Sequence, residues 1–391
     1  MLTLFLNEKY LKDFTKSFSY RHTKRYYEGL KLKVKFSFGL YPFYFPEIFD
    51  YNSLFSVFPK FLGRVIFLFL RIFSVYPLFL FEVVYFSYII FRIKPDVVYI
   101  NNGGYPSALS CRAFAVASRI CRVRKVYMFV NNIAVPYSNL FRFIDYPVDL
   151  LVVMSVDKFI TGSAYARSHL ERVLKLESTK TTSIFNSIPE PIYSNDSEML
   201  CRKHGLENFK GKVFAIVGLL IPRKGHLILL DAILRLRKDK KIKEGDFKIF
   251  VLGEGPDREL LESFICDNQL DDFFVFVGFV NNVLDYLNIV DFLLFTSVSE
   301  EDFPFVILEA LAMKKPVIAS RIAGTPEQVI DNFNGYLYNQ GDSVNLAEIF
   351  HRVLSMRKCV YDILSENARN YFEDNFSESI IMDKYVNLLK N

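Results

Sequence analysis

The stretch KVFAIVGLLIPRKGHLILLDAILRLRKD, residues 212–239, contains the unit from which the fold of this chain is predicted. Its first part is a short apolar run of the kind that forms a buried strand. Its last part has the apolar spacing of a helix and ends in a basic turn. A strand followed directly by a helix is the building unit of a parallel sheet wound with helices.

The same alternation continues in both directions from this stretch. Strands are predicted at 96–101, 125–131 and 157–163 on the N-terminal side, and at 247–253, 273–278, 291–297 and 316–320 on the C-terminal side. The segment 181–198 loses this periodicity and gains Pro, Ser and Asn, which is typical of a linker. MLTLFLNE at the start is a candidate strand, although no Gly-rich turn follows it. The predicted fold class is α/β, with two tandem doubly wound Rossmann-like domains that face a cleft.

Length and composition agree with a folded chain of two domains. The chain has 391 residues, more than one core normally serves, and 51% of them are hydrophobic. Its five cysteines are odd in number and are not closely paired, which argues against a disulfide framework or a zinc site and favours a reducing compartment. No signal-peptide pattern is present at the N-terminus. Residues 1–188 are basic and residues 189–391 are acidic, so we expect the first half to face an anionic partner.

The most apolar segment, residues 64–92, indicates which partner this is. Its longest uncharged run, 72–81, is shorter than the roughly 20 residues of a spanning helix, and Pro77 predicts a break. We expect a helix pair that is partly core and partly sunk into a bilayer interface, with Phe79 and Phe81 facing lipid. An ordinary buried helix and a true membrane span are the alternatives. Nearby basic residues would favour anionic lipid (Lys31, Lys33, Lys35 and Lys60), and nothing in the sequence resembles a nucleic-acid module.

Candidate ligand-binding residues follow the predicted strands of the second half, because ligands bind at the carboxyl ends of parallel strands. After the strand at 212 come Gly218 and the pair Arg223–Lys224, just before a helix N-terminus that favours anions. This arrangement suits a diphosphate, and a solvated basic turn is the alternative. The segment Gly253–Pro256 is an incomplete dinucleotide fingerprint, so we interpret it as tight turn packing.

Two acids follow the strand at 291, in the segment EEDFPFVILEALAMKKPVIAS (300–320). We expect Glu301 to lie in the loop and Glu309 in the helix that begins at Phe305. Carboxylates would repel phosphate oxygens but can accept hydrogen bonds from the neutral hydroxyls of a sugar and a ribose. The alternative is that Glu301 merely caps the helix.

Together these motifs resemble the retaining glycosyltransferases of the GT-B fold called family 4, or glycosyl transferases group 1. The match comprises G-x-x-x-x-R-K-G at 218–225, G-E-G-P at 253–256, G-F-V-N-N at 278–282, E-D-F-P-F-V-I-L-E at 301–309 and PVIASRIAGTPE at 316–327. The resemblance implies an N-terminal acceptor domain (1–190), a donor domain (191–375) and a last helix (376–391) that returns to the first domain.

The resemblance also implies residue roles. Glu301 would hold hydroxyls of the transferred sugar, Glu309 would hold the ribose, and Arg223 with Lys224 would neutralise the diphosphate. The segment Gly278–Val280 would contact the base. The full implied donor set is Gly218, Arg223, Lys224, Phe279, Val280, Glu301, Phe303, Leu308 and Glu309, with Gly324, Thr325 and Glu327 closing the pocket floor.

The sequence departs from the family at several points. Asp302 and Pro304 stand where the family often has glycines. Asn131 and Asn132 occupy a loop in which many members carry histidine, and asparagine cannot act as a base at neutral pH. The Gly-rich acceptor loop near the N-terminus is missing. The acceptor-side candidates are therefore Gly103, Gly104, Asn131 and Asn132.

The implied activity is retaining transfer of a hexose from a nucleotide-diphosphate sugar to a lipid-linked glycan, in the assembly of a bacterial surface polysaccharide (O-antigen, capsule or exopolysaccharide). No Asp-x-Asp motif is present, so neither a metal nor another cofactor is expected, and a donor phosphate oxygen would accept the acceptor's proton. We expect a cytoplasmic enzyme, peripheral on the inner face of the plasma membrane. A nucleotide-sugar epimerase of the same fold and a non-catalytic sugar-nucleotide or membrane-scaffold protein are the alternatives.

Overall fold

The computed structural model describes residues 2–7, 34–39, 60–138, 140–193, 197–299 and 301–390. The chain divides into two compact units, one formed by Met1–Thr161 with Ala166–Ser183 and the other by Gly162–Tyr165 with Ile184–Asn391. The main division therefore falls at Ser183, a few residues before the predicted boundary at 190. The predicted absence of a Gly-rich loop after the first strand concerns residues outside those described.

The first unit is built on a parallel sheet. In the described residues its six strands are β1 Leu2–Asn7, β2 Val34–Gly39, β3 Val97–Asn102, β4 Lys125–Val130, β5 Lys158–Thr161 and β6 Thr181–Ser183. They lie in the order β2-β1-β3-β4-β5-β6. The candidate strand at the N-terminus is thereby confirmed. Apolar residues such as Val98, Val126 and Phe159 are fully buried, as expected for strands covered on both faces.

Helices accompany this sheet. They are α1 Lys60–Ile93, α2 Leu109–Ile120, α3 Leu140–Phe143, α4 Tyr146–Ser155 and α5 Ala164–Leu174, with a 3-10 turn at Ser178–Lys180. The first two residues of α5 group with the second unit. The predicted linker 181–198 is in part wrong, because Thr181–Ser183 adds β6 to the sheet edge and Ser197 begins a helix. Sequence periodicity cannot detect a strand of three residues.

Helix α1 differs from the predicted helix pair. It is one continuous helix of 34 residues with Pro77 inside it. One face lies in the core of the first unit, where Phe79, Val83 and Ile90 are buried, and Phe86 meets the ring of Phe114 on α2 edge-on at 5.1 Å. Packing of this kind outweighs the cost of an internal proline, about 3 kcal/mol. The prediction that Phe79 faces lipid is therefore wrong.

The opposite face of α1 is apolar and exposed. Its large exposed side chains are Phe73, Leu80, Phe81, Val84, Tyr88 and Phe91. By length and composition alone, the segment Phe73–Ile93 could cross a membrane. A buried stripe and an exposed apolar stripe therefore share one helix.

The second unit contains another parallel sheet. In the described residues its six strands are β7 Lys212–Val217, β8 Phe247–Leu252, β9 Phe274–Gly278, β10 Phe292–Phe295, β11 Val317–Arg321 and β12 Gly335–Asn339. Their order is β12-β11-β10-β7-β8-β9, so the sequence of strands reverses between β7 and β10. Five of these strands match predicted ones. Strand β12, Gly335–Asn339, was not predicted, although turn residues flank it on both sides in the sequence.

The helices of this unit are α6 Ser197–Lys203, α7 His226–Lys238, α8 Arg258–Asp267, α9 Val283–Ile289, α10 Phe305–Ala312, α11 Thr325–Gln328, α12 Ser343–Leu354, α13 Lys358–Phe376 and α14 Glu378–Lys390. Short 3-10 turns lie at Pro222–Lys224 and Asp271–Phe273. Helix α14 groups with the second unit. Its predicted return to the first domain stays a prediction.

Candidate functional site

The candidate site lies in the second unit, where the strand order reverses. Strands β7 and β10 are direct neighbours, with Ile216 in register with Leu294. In open α/β sheets, ligands bind outside the carboxyl ends of the strands at such a reversal. The segments that leave β7 and β10 there are 218–225 and 296–301. They contain the predicted diphosphate cations and Glu301, respectively.

The backbone of the cation pair is fixed by the neighbouring loop. The hydroxyl of Thr296 donates to the carbonyl of Lys224 at 2.8 Å, and the N–H of Val298 donates to the carbonyl of Arg223 at 2.9 Å. Gly225 follows with a left-handed φ of 68°, and a Cβ atom there would stand 2.0 Å from the carbonyl oxygen of Thr296. The close approach of the two loops therefore requires glycine at this position.

Glu301 is bonded to both cations. Its carboxylate lies 2.7 Å from Lys224 Nζ, pairs with the guanidinium of Arg223, and accepts a hydrogen bond from Ser297 Oγ at 3.2 Å. Helix α10 begins four residues later, with Pro304 at its N-cap. Glu301 is therefore an ion-pair partner of the cations, and the alternative that it merely caps the helix does not fit this geometry.

Glu309 lies on α10 as predicted, and burial raises its pKa. The neighbouring predicted donor residues have their side chains in the core: Leu308 is fully buried, and Phe303 stacks on Phe185 with ring centroids 5.1 Å apart. A donor contact at Phe303 or Leu308 would have to come from the backbone. Of these three, Glu309 is the one whose side chain offers a polar group.

The segments after β8 and β9 meet at glycines. The N–H of Gly253 donates to the carbonyl of Gly278 at 2.9 Å. Gly253 has a φ of 143°, and a Cβ atom on it would stand 1.9 Å from the carbonyl oxygen of Gly218. This contact agrees with the packing role expected for the incomplete fingerprint. Phe279 follows, and its ring is 78% exposed, while Val280 packs against the core.

Asp302 has a role that the sequence did not predict. It is buried, it accepts a hydrogen bond from the hydroxyl of Ser163, and burial raises the pKa of its carboxyl to about 7, with the charge of Glu327 adding to the shift. Glu327 accepts hydrogen bonds from the N–H groups of Ala164 and Tyr165, at 2.8 and 2.9 Å. Both acids therefore hold the segment Gly162–Tyr165. In the sequence, the sign of this role was an aspartate at position 302, where the family often has glycine.

The predicted acceptor-side residues lie in the first unit at the ends of β3 and β4. Asn131 donates through its backbone N–H to the carbonyl of Asn102 at 2.9 Å, and its side chain donates to the same oxygen at 3.1 Å. Asn132 accepts from the N–H of Ile133 at 2.8 Å. Gly103 and Gly104 follow Asn102 directly. The structure thus brings the two predicted acceptor loops together.

A buried ionic network supports these loops, and the sequence did not predict it. Arg112 pairs with Asp145 at 2.9 Å, and Arg142 pairs with Asp149 at 2.6 Å; all four side chains are at most 5% exposed. The hydroxyl of Tyr137 donates to Asp149 at 2.6 Å, and burial together with this bond raises the pKa of Tyr137. The network therefore fixes the segment after Asn132. In the sequence, charged residues inside apolar runs, such as Arg112 in SCRAFAVAS, indicate such a network.

We find no candidate metal site in the described part of the chain. There, no group of three or more His, Cys, Asp or Glu side chains could hold a metal ion. The expectation of a metal-free site stays a prediction.

Comparisons with known proteins show similarity to glycosyltransferases. Residues 201–371 match the family model described as glycosyl transferases group 1. An uncharacterized glycosyltransferase of Methanocaldococcus jannaschii, MJ1178, is 28% identical over 227 residues, which are 58% of this chain and 57% of that protein. The UDP-Gal:alpha-D-GlcNAc-diphosphoundecaprenol alpha-1,3-galactosyltransferase of Escherichia coli is 28% identical over 46% of each chain. The chain thus spans about half the length of the curated relatives it matches.

Solved structures resemble the whole chain. Anabaena Alr3699/HepE in complex with UDP has a TM-score of 0.71 at 19% identity and is covered completely. A glycosyltransferase from Rickettsia africae has a TM-score of 0.73 at 18% identity, with 97% of that chain covered. At such identities the likeness shows the fold alone, which is GT-B. Residues 201–371 therefore resemble the glycosyl transferases group 1 family, and the chain has the GT-B fold.

Proposed function

We propose that the chain is a glycosyltransferase that moves a hexose from a nucleotide-diphosphate sugar to an acceptor with retention at the anomeric carbon. The observation that carries the proposal is the cluster of Arg223, Lys224 and Glu301 at the strand reversal. Two adjacent cations and a nearby carboxylate match what this reaction needs: stabilisation of a leaving diphosphate and acceptors for the hydroxyls of a sugar.

The residues of the site would divide this work. Negative charge develops on the diphosphate as the bond to the sugar breaks, and cations fixed at that position stabilise it. Arg223 and Lys224 would do this, because the neighbouring loop fixes their backbone. In this proposal their two charges take the place of a metal ion. A donor phosphate oxygen would accept the proton of the attacking hydroxyl, which suits a site whose acceptor loop carries Asn131 and Asn132 in place of histidine.

Glu309 supports recognition of a ribose. Its carboxylate is half-buried, and burial raises its pKa, so the charged form lacks part of its hydration. Hydroxyl groups that donate to this carboxylate would replace the lost water. UDP is the first nucleotide to consider, because the Anabaena structures contain UDP and UDP-glucose. Phe279, exposed after β9, would lie beside the base.

For the acceptor we propose a lipid-linked glycan in bacterial surface polysaccharide assembly. Three relatives support this class by their names: the Escherichia coli enzyme, which acts on a diphosphoundecaprenol-linked sugar, an amylovoran biosynthesis glycosyltransferase of Erwinia amylovora and a lipopolysaccharide core glycosyltransferase of Rhizobium meliloti. The loops at Gly103–Gly104 and Asn131–Asn132 would contact this acceptor.

We further propose that the first unit binds an anionic membrane from the cytoplasmic side through the exposed face of α1. The aromatic rings near its end lie beside cations, with Arg92 5.9 Å from the ring of Tyr88 and Lys94 5.8 Å from the ring of Phe91. An apolar face with flanking cations is typical of helices that lie in the membrane interface. This position would place the enzyme where a lipid-linked acceptor is presented.

Nucleotide binding tests the donor side. Thermal unfolding is measured with UDP, GDP, ADP and CDP at about 1 mM, where a ligand at ~100 times its Kd stabilises by about 2.7 kcal/mol. We expect one nucleotide to raise the Tm of the wild type and to have little effect on Arg223→Ala. Arg357→Ala is the matched control, because exposed Arg357 precedes α13, whose Tyr361 bonds to Asp291 at the start of β10, the end of that strand away from the site. If no nucleotide shifts the wild-type Tm, the proposal fails.

Liposome sedimentation tests the membrane face. Replacing Leu80 and Phe91 by Ser removes two exposed apolar side chains, each worth about 1.5–3 kcal/mol when fully buried. Even partial insertion then predicts at least ~10-fold weaker binding to anionic vesicles. Ile363→Ser, an equally exposed position on α13, is the control. Equal sedimentation of all three proteins would contradict membrane binding through α1.

A further inference from the structure

The cations proposed for the diphosphate already have an anionic partner within the chain. Lys224 Nζ contacts both carboxylate oxygens of Glu301, at 2.7 and 3.0 Å, and the guanidinium of Arg223 contacts one of them. A diphosphate and this carboxylate cannot use the same N–H groups at once. An anion that takes these N–H groups of Arg223 and Lys224 therefore competes with Glu301.

The surroundings of the cluster favour this internal pairing. Ser297 is buried and donates its hydroxyl to Glu301 at 3.2 Å, which holds the carboxylate towards the cations. Thr296 and Val298, in the same loop, donate hydrogen bonds to the backbone carbonyls of Lys224 and Arg223, respectively. The three charged groups carry one net positive charge, so the pairing reduces but does not cancel the attraction for an anion. An external anion can therefore replace the carboxylate of Glu301 at these cations.

We propose that Glu301 is an internal counter-anion of the diphosphate site, which the donor displaces on binding and which returns when the product leaves. This inference rests on the proposed function. Donor binding would free the carboxylate from the cations, and it could then accept hydrogen bonds from hydroxyls of the sugar. Once the sugar has been transferred, those hydroxyls are gone. The carboxylate would then compete with the nucleoside diphosphate for Arg223 and Lys224 and promote its release.

The proposal predicts a change in diphosphate affinity that a simple sugar-binding role does not. If Glu301 did no more than hold the sugar, its neutral amide variant would bind a sugar-free diphosphate as the wild type does. If Glu301 is a competitor, Glu301→Gln should bind diphosphate more tightly, because the amide carries no charge to hold the cations. Two partly exposed ion pairs are lost, so we expect roughly 3- to 30-fold tighter binding.

Calorimetric titration with inorganic diphosphate and with UDP measures this effect. Glu366→Gln is the matched control, because it removes the same charge from an exposed pair with Lys314 at 2.7 Å. We expect its affinity to equal that of the wild type. Ser297→Ala keeps every charge and removes one anchor of the carboxylate, so it should also bind diphosphate more tightly, by a smaller factor than Glu301→Gln. The Tm of each variant shows that it is folded.

The outcomes separate the inference from the function on which it rests. Tighter binding by Glu301→Gln alone among the charge variants supports the counter-anion. Equal or weaker binding by Glu301→Gln, with diphosphate bound by the wild type, overturns the counter-anion and leaves the proposed function intact. If the wild type binds neither inorganic diphosphate nor any of UDP, GDP, ADP and CDP, both fail.

Discussion

We expect Asp302 to make the stability of this protein depend on pH, and we expect its replacement by Asn to weaken that dependence. Its carboxyl is buried beside Gly162, bonded to Ser163, and burial raises its pKa to about 7. In the unfolded chain an aspartate has a pKa of about 3.9. Because the folded state holds the proton more tightly, the neutral acid favours folding below about pH 4. That advantage is lost as the pH rises through 7.

The magnitude follows from linkage. Between pH 5 and pH 8 the folded state loses nearly one proton at Asp302, whereas the unfolded state has already lost it. Integrating the difference gives a loss of roughly 2–3 kcal/mol in the free energy of unfolding of the wild type over this range. Asp302→Asn cannot titrate, and its carboxamide oxygen can still accept the hydrogen bond from Ser163. We therefore expect its stability to fall less over the same range.

Urea denaturation at pH 5, 6, 7 and 8 measures this difference. Unfolding is monitored with a spectroscopic probe in the second unit. The control is Asp239→Asn, at an exposed position on the end of α7. Its pH dependence should parallel that of the wild type. Parallel curves for the wild type and Asp302→Asn would refute the reasoning, because they would show that Asp302 is ionised in the folded state throughout.

Three further outcomes follow from single contacts. Asp149→Asn should lower the free energy of unfolding by about 3–5 kcal/mol in urea, because it leaves Arg142 buried without its carboxylate, whereas Glu207→Gln in an exposed pair should cost under about 1 kcal/mol. Gly225→Ala should abolish diphosphate binding and lower the Tm more than Gly205→Ala, which has a similar φ of 66° but nothing within 4 Å of a new Cβ. Glu309→Gln should weaken UDP binding in calorimetry and leave inorganic diphosphate binding unchanged; equal losses for both would contradict a ribose contact.

Local patterns in the sequence are enough to predict most of the helices and strands and their order along the chain. Apolar runs of five or six residues identified β7 and β8, and the apolar spacing of helices identified α7 and α10, because these patterns reflect local burial on a strand or a helix face. The same local logic placed Arg223, Lys224 and Glu301 after strands. It failed at Pro77 in α1, where packing of the helix outweighs the local preference of proline, and it missed β12.

Which side chains meet depends on the three-dimensional fold. Glu301 and Arg223 are 78 residues apart, and Ser163 and Asp302 are 139 residues apart. Glu301 meets Arg223 because β7 and β10 are neighbours in one sheet. Ser163 meets Asp302 because the short segment Gly162–Tyr165 groups with the second unit. No local pattern encodes either arrangement. For the same reason, the pairing of Asp149 with Arg142 and Tyr137, and the division of α1 into a buried and an exposed face, became visible only with the fold.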